Sequence, residues 1–222
     1  VKVPARNALK LPETIPFEQG AILGCAVSTA FHALRRARAR AGDTVVIYGI
    51  GGLGTHAIQL AAKIFEAGKI VAVDVLDEKL KLAKRLGADE VVNAATEDPT
   101  ERIKDMTDGK LAEVVLDFVG DKRTIERAID CVGKGGRIAL VGIGREDIHV
   151  SPYRTIIGKE MELVGVNDHL KSELAELIEL VGSGRIDLSA SVTHRVPLEE
   201  VNRGIQILEE QIGNPIRVVV AK

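Results

Sequence analysis

Apolar and polar positions along the chain switch between two periods. Short β-branched runs, Thr44–Tyr48 and Lys69–Asp74, read as buried strands. Apolar residues between and after them recur at three- and four-residue spacing. Leu53, Ala57, Ile58, Ala61, Ile64 and Phe65 mark one helix; Leu80, Ala83 and Leu86 mark the next, begun by Asp77 and stopped by Gly87. The alternation continues with strands at Glu90–Asn93, Glu113–Asp117, Arg137–Val141 and Glu162–Gly165. Helices are predicted at Thr100–Thr107 and on Ile125, Ala128, Ile129 and Val132, the latter ended by Gly133. This rhythm predicts an α/β chain of right-handed βαβ units: a Rossmann, doubly wound, six-stranded parallel sheet of order 3-2-1-4-5-6.

Both ends depart from the rhythm. Residues 1–22 carry Pro4, Pro12 and Pro16 without a helical period and read as an extended connector. A helix is predicted over Ala21–Arg40, with Leu23, Val27, Ala30 and Leu34 on one face. After Gly165 come a helix on Leu174, Leu177, Ile178 and Val181, a strand at His194–Val196, a helix over Leu198–Glu210 and a strand at Ile216–Val220. The expected parts are therefore a connector (1–22), a dinucleotide-binding domain (23–167) and a segment (168–222) returning into a second, mostly absent unit.

The chemistry is concentrated after the first strand. Gly49, Gly51 and Gly54 form Gly-x-Gly-x-x-Gly between a strand and a helix, the context that makes a glycine pattern a dinucleotide fingerprint. The first glycine permits the tight turn, the second lets a pyrophosphate approach the backbone, and the third lets helix and strand pack closely. The helix N-terminus then offers N–H groups and a partial positive charge to phosphate. Asp74 ends the second strand, 20 residues after Gly54, where a carboxylate accepts from ribose hydroxyls and repels a 2′-phosphate. The cofactor read from these residues is NAD rather than NADP.

Composition narrows the class. The net charge of −2 and pI near 6.3 give no pull toward nucleic acid or anionic membrane, and no apolar run reaches the ~18 residues of a membrane span. The basic run Arg35, Arg36, Arg38 and Arg40 reads as a solvated helix end that complements the helix dipole. Two cysteines, Cys25 and Cys131, imply no disulfide framework and fit a reducing, cytoplasmic setting. The first residue is Val1, so the chain reads as a piece of a longer one.

Several local patterns together resemble the zinc-type medium-chain dehydrogenase/reductase family, the alcohol dehydrogenases. They are Leu23-Gly24-Cys25-Ala26-Val27-Ser28-Thr29, Gly49-Ile50-Gly51-Gly52-Leu53-Gly54, Val73-Asp74-Val75 with Lys79, Leu86-Gly87-Ala88-Asp89, Val141-Gly142-Ile143 and Pro215-Ile216-Arg217. The resemblance implies that Gly49, Gly51, Gly52 and Leu53 line the pyrophosphate and that Asp74 and Lys79 hold the adenosine ribose. It implies that Val119, Val141, Ile143 and Val166 border the nicotinamide and its ribose, with Thr29 beside the ring and Arg217 on a cofactor phosphate. Cys25 matches a ligand of the catalytic zinc.

The family's Gly-His-Glu motif and cysteine cluster are not in these residues. A catalytic zinc usually takes three protein ligands, and this segment offers one. The expected parent is a dehydrogenase exchanging hydride between a small alcohol or carbonyl compound and NAD. It is expected to be a homodimer or homotetramer joined at the sixth-strand edge, with its N-terminal catalytic half missing here and this segment inactive alone. The alternatives are a stand-alone dinucleotide-binding module and a zinc-free quinone-reductase-type relative. Outside the resemblance, Cys131, the scattered His32, His56, His149, His169 and His194, and Asp117 are read as core, structural and turn-forming residues.

Overall fold

The computed structural model describes residues 2–221. Contacts divide the chain into two compact units: Thr29–Asn167, and the residues up to Ser28 together with those from Asp168 onward.

The larger unit is a six-stranded parallel sheet in the order β3-β2-β1-β4-β5-β6, as the alternation predicts. Its strands are β1 (Thr44–Tyr48), β2 (Lys69–Asp74), β3 (Glu90–Asn93), β4 (Ala112–Asp117), β5 (Val132–Leu140) and β6 (Glu162–Gly165). The central strands are buried on both faces, which is why they read as unbroken apolar runs. On one face Val46, Val71, Val115 and Ile138 share a core with Ile103 and with Ile125 and Ile129. Helix α3 (Gly54–Lys63) packs on β1 and β2, and α4 (Asp77–Leu86) on β2 and β3. Val45, Ile47, Ile70 and Ala72, at the alternate positions, are likewise buried.

Helix α5 (Pro99–Met106) begins where the Asp98 carboxylate accepts from the Thr100 and Glu101 amides, with Pro99 at the first helical position. Helix α6 (Lys122–Asp130) begins where Asp121 Oδ1 accepts from the Arg123 amide at 2.9 Å, and it ends under Lys159. That ammonium donates to the carbonyls of Ile129, Asp130 and Val132 at 3.1, 3.0 and 2.9 Å.

Three boundaries differ from the periodicity. Pro16 caps helix α1 (Phe17–Ile22), so part of the expected connector is helical; proline at a helix start loses no needed hydrogen bond. The helix expected over Ala21–Arg40 is divided by a wide five-residue turn, Leu23–Val27, and α2 runs only over Ser28–Arg36. The basic run that starts in its last turn is partly engaged: Arg35 lies over the Phe31 ring at 4.5 Å, and Arg38 pairs with Glu162. Finally, β5 starts at Val132, where a helical residue was expected. Gly133 and Gly136 there lie against the backbone of 110–113, so close that a Cβ on Gly133 would stand 2.4 Å from the Lys110 carbonyl oxygen.

The second unit holds α1, α7 (Lys171–Gly182), α8 (Val201–Glu209) and a two-stranded parallel sheet of β7 (Val192–Val196) and β8 (Arg217–Val220). Arg195 of β7 grips Glu18 of α1 through its Nε, at 2.9 and 2.7 Å to the two carboxylate oxygens. Among the described residues no helix is long and apolar enough to cross a membrane.

Candidate functional site

At the carboxyl end of β1 the chain turns at Gly49, whose φ of +87° disfavours any side chain. A Cβ there would also stand 2.7 Å from Val119 Cγ2. The Gly49 amide donates to the Val73 carbonyl at 2.9 Å, and the next amide, Ile50, donates to Asp74 Oδ2 at 2.7 Å. The other Asp74 oxygen accepts from the Val75 and Leu76 amides at 2.8 and 3.1 Å. The acid expected to meet ribose is thus also the clamp that ties the end of β2 to the glycine turn.

Gly51 faces open space: nothing lies within 4 Å of a Cβ placed on it. Gly54, by contrast, touches the turn it follows, and its Cβ would stand 2.0 Å from the Gly49 carbonyl oxygen. The Thr55 hydroxyl donates back to the Gly51 carbonyl at 2.9 Å, so the turn leads without slack into α3. At the start of α3 the Thr55 and His56 amides donate to the Gly51 and Leu53 carbonyls at 3.2 and 3.0 Å, so an anion there would meet the positive end of the helix dipole.

These elements border a cleft of about 340 Å³ lined by Gly49, Gly51, Gly52, Leu53, Asp74, Lys79 and Thr124, with Val73, Val75, Ala94, Phe118 and Val119 forming apolar walls. It lies between the carboxyl ends of β1, β2 and β4, the place where strand order reverses in a doubly wound sheet. A wide glycine-floored cradle, an adjacent carboxylate and apolar walls fit a dinucleotide.

The remaining predicted residues lie elsewhere. Val141 follows β5 and donates to the Asp117 carbonyl at 3.0 Å; Ile143 is 97% exposed; Val166 is buried just after β6. None of the three lines the cleft. Thr29 is buried in α2. In the second unit Cys25 and Arg217 share a recess of about 290 Å³ with Ala21, Ile22, Ala26 and Val218. Cys25 is exposed, whereas Arg217 Nε and Nη2 are buried with no hydrogen-bond partner. Burial pulls the Arg217 pKa down and the nearby Cys25 raises it. A buried, unpaired guanidinium is a costly arrangement that an anion would relieve.

A family profile described as zinc-binding dehydrogenase matches residues 52–183, more than half of the chain. The chain belongs to the zinc-binding dehydrogenase family. It is 35% identical over 201 residues to an alcohol dehydrogenase of Geobacillus stearothermophilus, covering 90% of this chain and 57% of that one. It is 34% identical over 222 residues to an NAD-dependent alcohol dehydrogenase of Sulfurisphaera tokodaii, covering 98% and 62%. Among solved structures, the alcohol dehydrogenase TADH of Thermus sp. ATN1 superposes with a TM-score of 0.90 at 30% identity, covering 96% of this chain and 61% of that one. This zinc-binding dehydrogenase chain therefore spans about three-fifths of the length of these relatives.

No three His, Cys, Asp or Glu side chains among the described residues are placed to hold one ion together. Zinc in a catalytic site needs about three protein ligands, so the described residues of the dehydrogenase chain do not by themselves fit it.

Two further buried residues stand out. Asp117 is fully buried at the end of β4, with Oδ1 accepting from the Gly120 amide at 2.8 Å. Burial raises its pKa to about 6, against the pull of the Gly120 and Val119 amides and the nearby Thr124 hydroxyl. Between its ordinary value of 3.8 and about 6 the folded chain holds a proton that the unfolded chain releases. The stability this contributes is complete below 3.8 and is lost as pH rises through about 6. Cys131, 3.1 Å from the Tyr48 hydroxyl, has its thiol pKa raised by burial and is the core residue the sequence suggested.

Proposed function

We propose that this chain is the cofactor-binding portion of an NAD-dependent zinc alcohol dehydrogenase, or of a related polyol or sugar dehydrogenase. The observation that carries the reading is the Ile50 amide bonded to Asp74 Oδ2, which sets the open glycine turn and the Asp74 carboxylate side by side in one cleft. In this reading Gly49, Gly51, Gly52, Leu53 and Gly54 cradle the pyrophosphate on the N-terminus of α3. Asp74 and Lys79 take the adenosine ribose, and Val119, Val141, Ile143, Val166 and Thr29 border the nicotinamide. Arg217 neutralises a phosphate, and Cys25 is one zinc ligand, the others coming from the part of the relatives' length not spanned here. NAD, when bound, supplies the carbon that accepts hydride; the residues of this chain bind and orient it. The domain division 1–22, 23–167 and 168–222 belongs to the same proposal.

The test uses the chain and a full-length protein that includes it. The chain alone is expected to bind NAD, to carry far less than one zinc per molecule, and to oxidise no alcohol. In the full-length protein Cys25→Ala should lower zinc content and turnover together while leaving NAD affinity within a few-fold. Alcohol-dependent NAD reduction by the chain alone, or full zinc and full rate in the Cys25→Ala protein, would sink the ligand assignment. The second reading is a dinucleotide-binding module without catalysis. Addition of the segment that precedes the chain in the full-length protein separates the two: a module gains no turnover from it.

Self-association through β6 is part of the proposal. This strand pairs with β5 and ends the sheet, and Leu163 on it is 37% exposed. An open strand edge is a template for a second copy. Met161, one residue before the strand, is buried in the core. The chain is expected to sediment as a dimer at tens of micromolar, and Val164→Pro as a monomer. A monomer before and after the substitution would show that this edge does not pair.

A further inference from the structure

Asp117 does more than close a strand. Its Oδ2 is buried with no hydrogen-bond partner, while its backbone carbonyl accepts from both the Val141 and Gly142 amides at 3.0 Å. With Oδ1 on the Gly120 amide, one residue fastens two turns, 118–120 after β4 and 141–144 after β5. The turns meet backbone to backbone: a Cβ on Gly142 would stand 2.1 Å from the Gly120 nitrogen, and one on Gly120 would stand 2.5 Å from the Gly142 carbonyl carbon. Phe118 and Val119 of the first turn form a wall of the cleft.

The position of this carboxyl relative to a bound dinucleotide follows from the sheet order. Asp74 at the end of β2 marks the adenosine side and the glycine turn after β1 the pyrophosphate. The other nucleoside half then lies over the carboxyl ends of β4 and β5, above the two turns that Asp117 fastens. We propose that Asp117 is a positioning residue for the nicotinamide half of the cofactor, and that its buried carboxylate makes the cleft favour the oxidised, cationic cofactor over the reduced, neutral one. This rests on the reading of the cleft as an NAD site.

The groups around Asp117 allow its charge to change in a measurable range. Asp121, at the start of α6, is the charged group that acts on it, and it opposes ionisation. Its register partners are Tyr48 on β1, whose hydroxyl is engaged with Cys131, and Leu140 on β5. The Gly120 and Val119 amides and the Thr124 hydroxyl favour the charged form, and the balance puts the pKa at about 6. A carboxylate in a low-dielectric interior acts on a nearby cation far more strongly than in water. By linkage, a cofactor that favours the carboxylate must also lower its proton affinity.

The experiment measures the affinities of NAD and NADH for the full 222-residue chain, and for Asp117→Asn, from about pH 5 to about pH 8. In the unsubstituted chain the affinity ratio should move toward NAD by about tenfold as pH rises through the Asp117 transition, the equivalent of one pKa unit. In Asp117→Asn the ratio should be flat. A residue that only holds the turns would weaken both cofactors together and leave the ratio unmoved by pH, which overturns the proposal. Should the variant not fold, carbon NMR of the Asp117 carboxyl in the unsubstituted chain decides. Its titration must shift to lower pH with NAD and not with NADH; equal titrations overturn the proposal. Failure of the unsubstituted chain to bind either cofactor at any pH would instead overturn the NAD site itself, and this inference with it.

Discussion

Gly54→Ala is expected to abolish measurable NAD binding and to destabilise the larger unit by about 3 kcal/mol or more, beyond the usual range for an added methyl group. The new Cβ would stand 2.0 Å from the Gly49 carbonyl oxygen, a backbone atom that cannot rotate away. Relief requires moving α3 off the turn, and with it the amides on which a pyrophosphate would rest. Gly51→Ala is the control that separates cradle from scaffold. Nothing lies within 4 Å of a Cβ there, so the variant should melt as the unsubstituted chain does, yet lose affinity because the methyl occupies the phosphate's place. Thermal unfolding and cofactor titration of both variants check this. Full affinity in Gly51→Ala would mean the pyrophosphate does not rest on this turn.

The second large effect concerns cofactor choice. NAD is expected to bind at least about tenfold more tightly than NADP, a difference of about 1.4 kcal/mol. Replacing Asp74 by Ser together with Val75 by Arg should reverse the preference. Val75 is 56% exposed and lines the cleft, so an arginine there can reach a 2′-phosphate without displacing the core. Lys79, on the same cleft, adds a second positive charge. The clamp on Asp74 also sets the cost: the Ile50, Val75 and Leu76 amides lose their carboxylate, so the reversed variant should bind its preferred cofactor more weakly than the unsubstituted chain binds NAD. Titration of both chains with both cofactors settles it, and equal affinities of the unsubstituted chain for NAD and NADP would refute the role of Asp74.

The sheet order and the glycine turn were legible because each rests on local pattern. Buried parallel strands read as apolar runs, and a glycine cluster between strand and helix has few structural meanings. What escaped the sequence depends on contacts between distant residues. Nothing in Val73-Asp74-Val75 announces that the carboxylate would take the Ile50 amide 24 residues earlier. Asp117 resembled any turn-forming acid until its full burial placed it under two turns at once. The early start of β5 is explained only by the backbone of 110–113 lying against Gly133 and Gly136. The α1 helix is hidden because the stretch around Pro16 has no helical period, yet Pro16 serves as a helix start.

The pairing of β1 with β4 also governs when the cleft can exist. Val119 follows the glycine turn by seventy residues, and the β2 and β3 units are laid down between them. On a chain emerging from its amino end, the turn, Asp74 and Lys79 are present long before the wall they face. Closing that long interval carries a loop entropy, offset by the β1–β4 ladder together with β2 and β3 paired on the other side of β1. Cofactor capture therefore belongs to the late stage of folding, and a nascent chain halted before β4 would hold the fingerprint without the pocket.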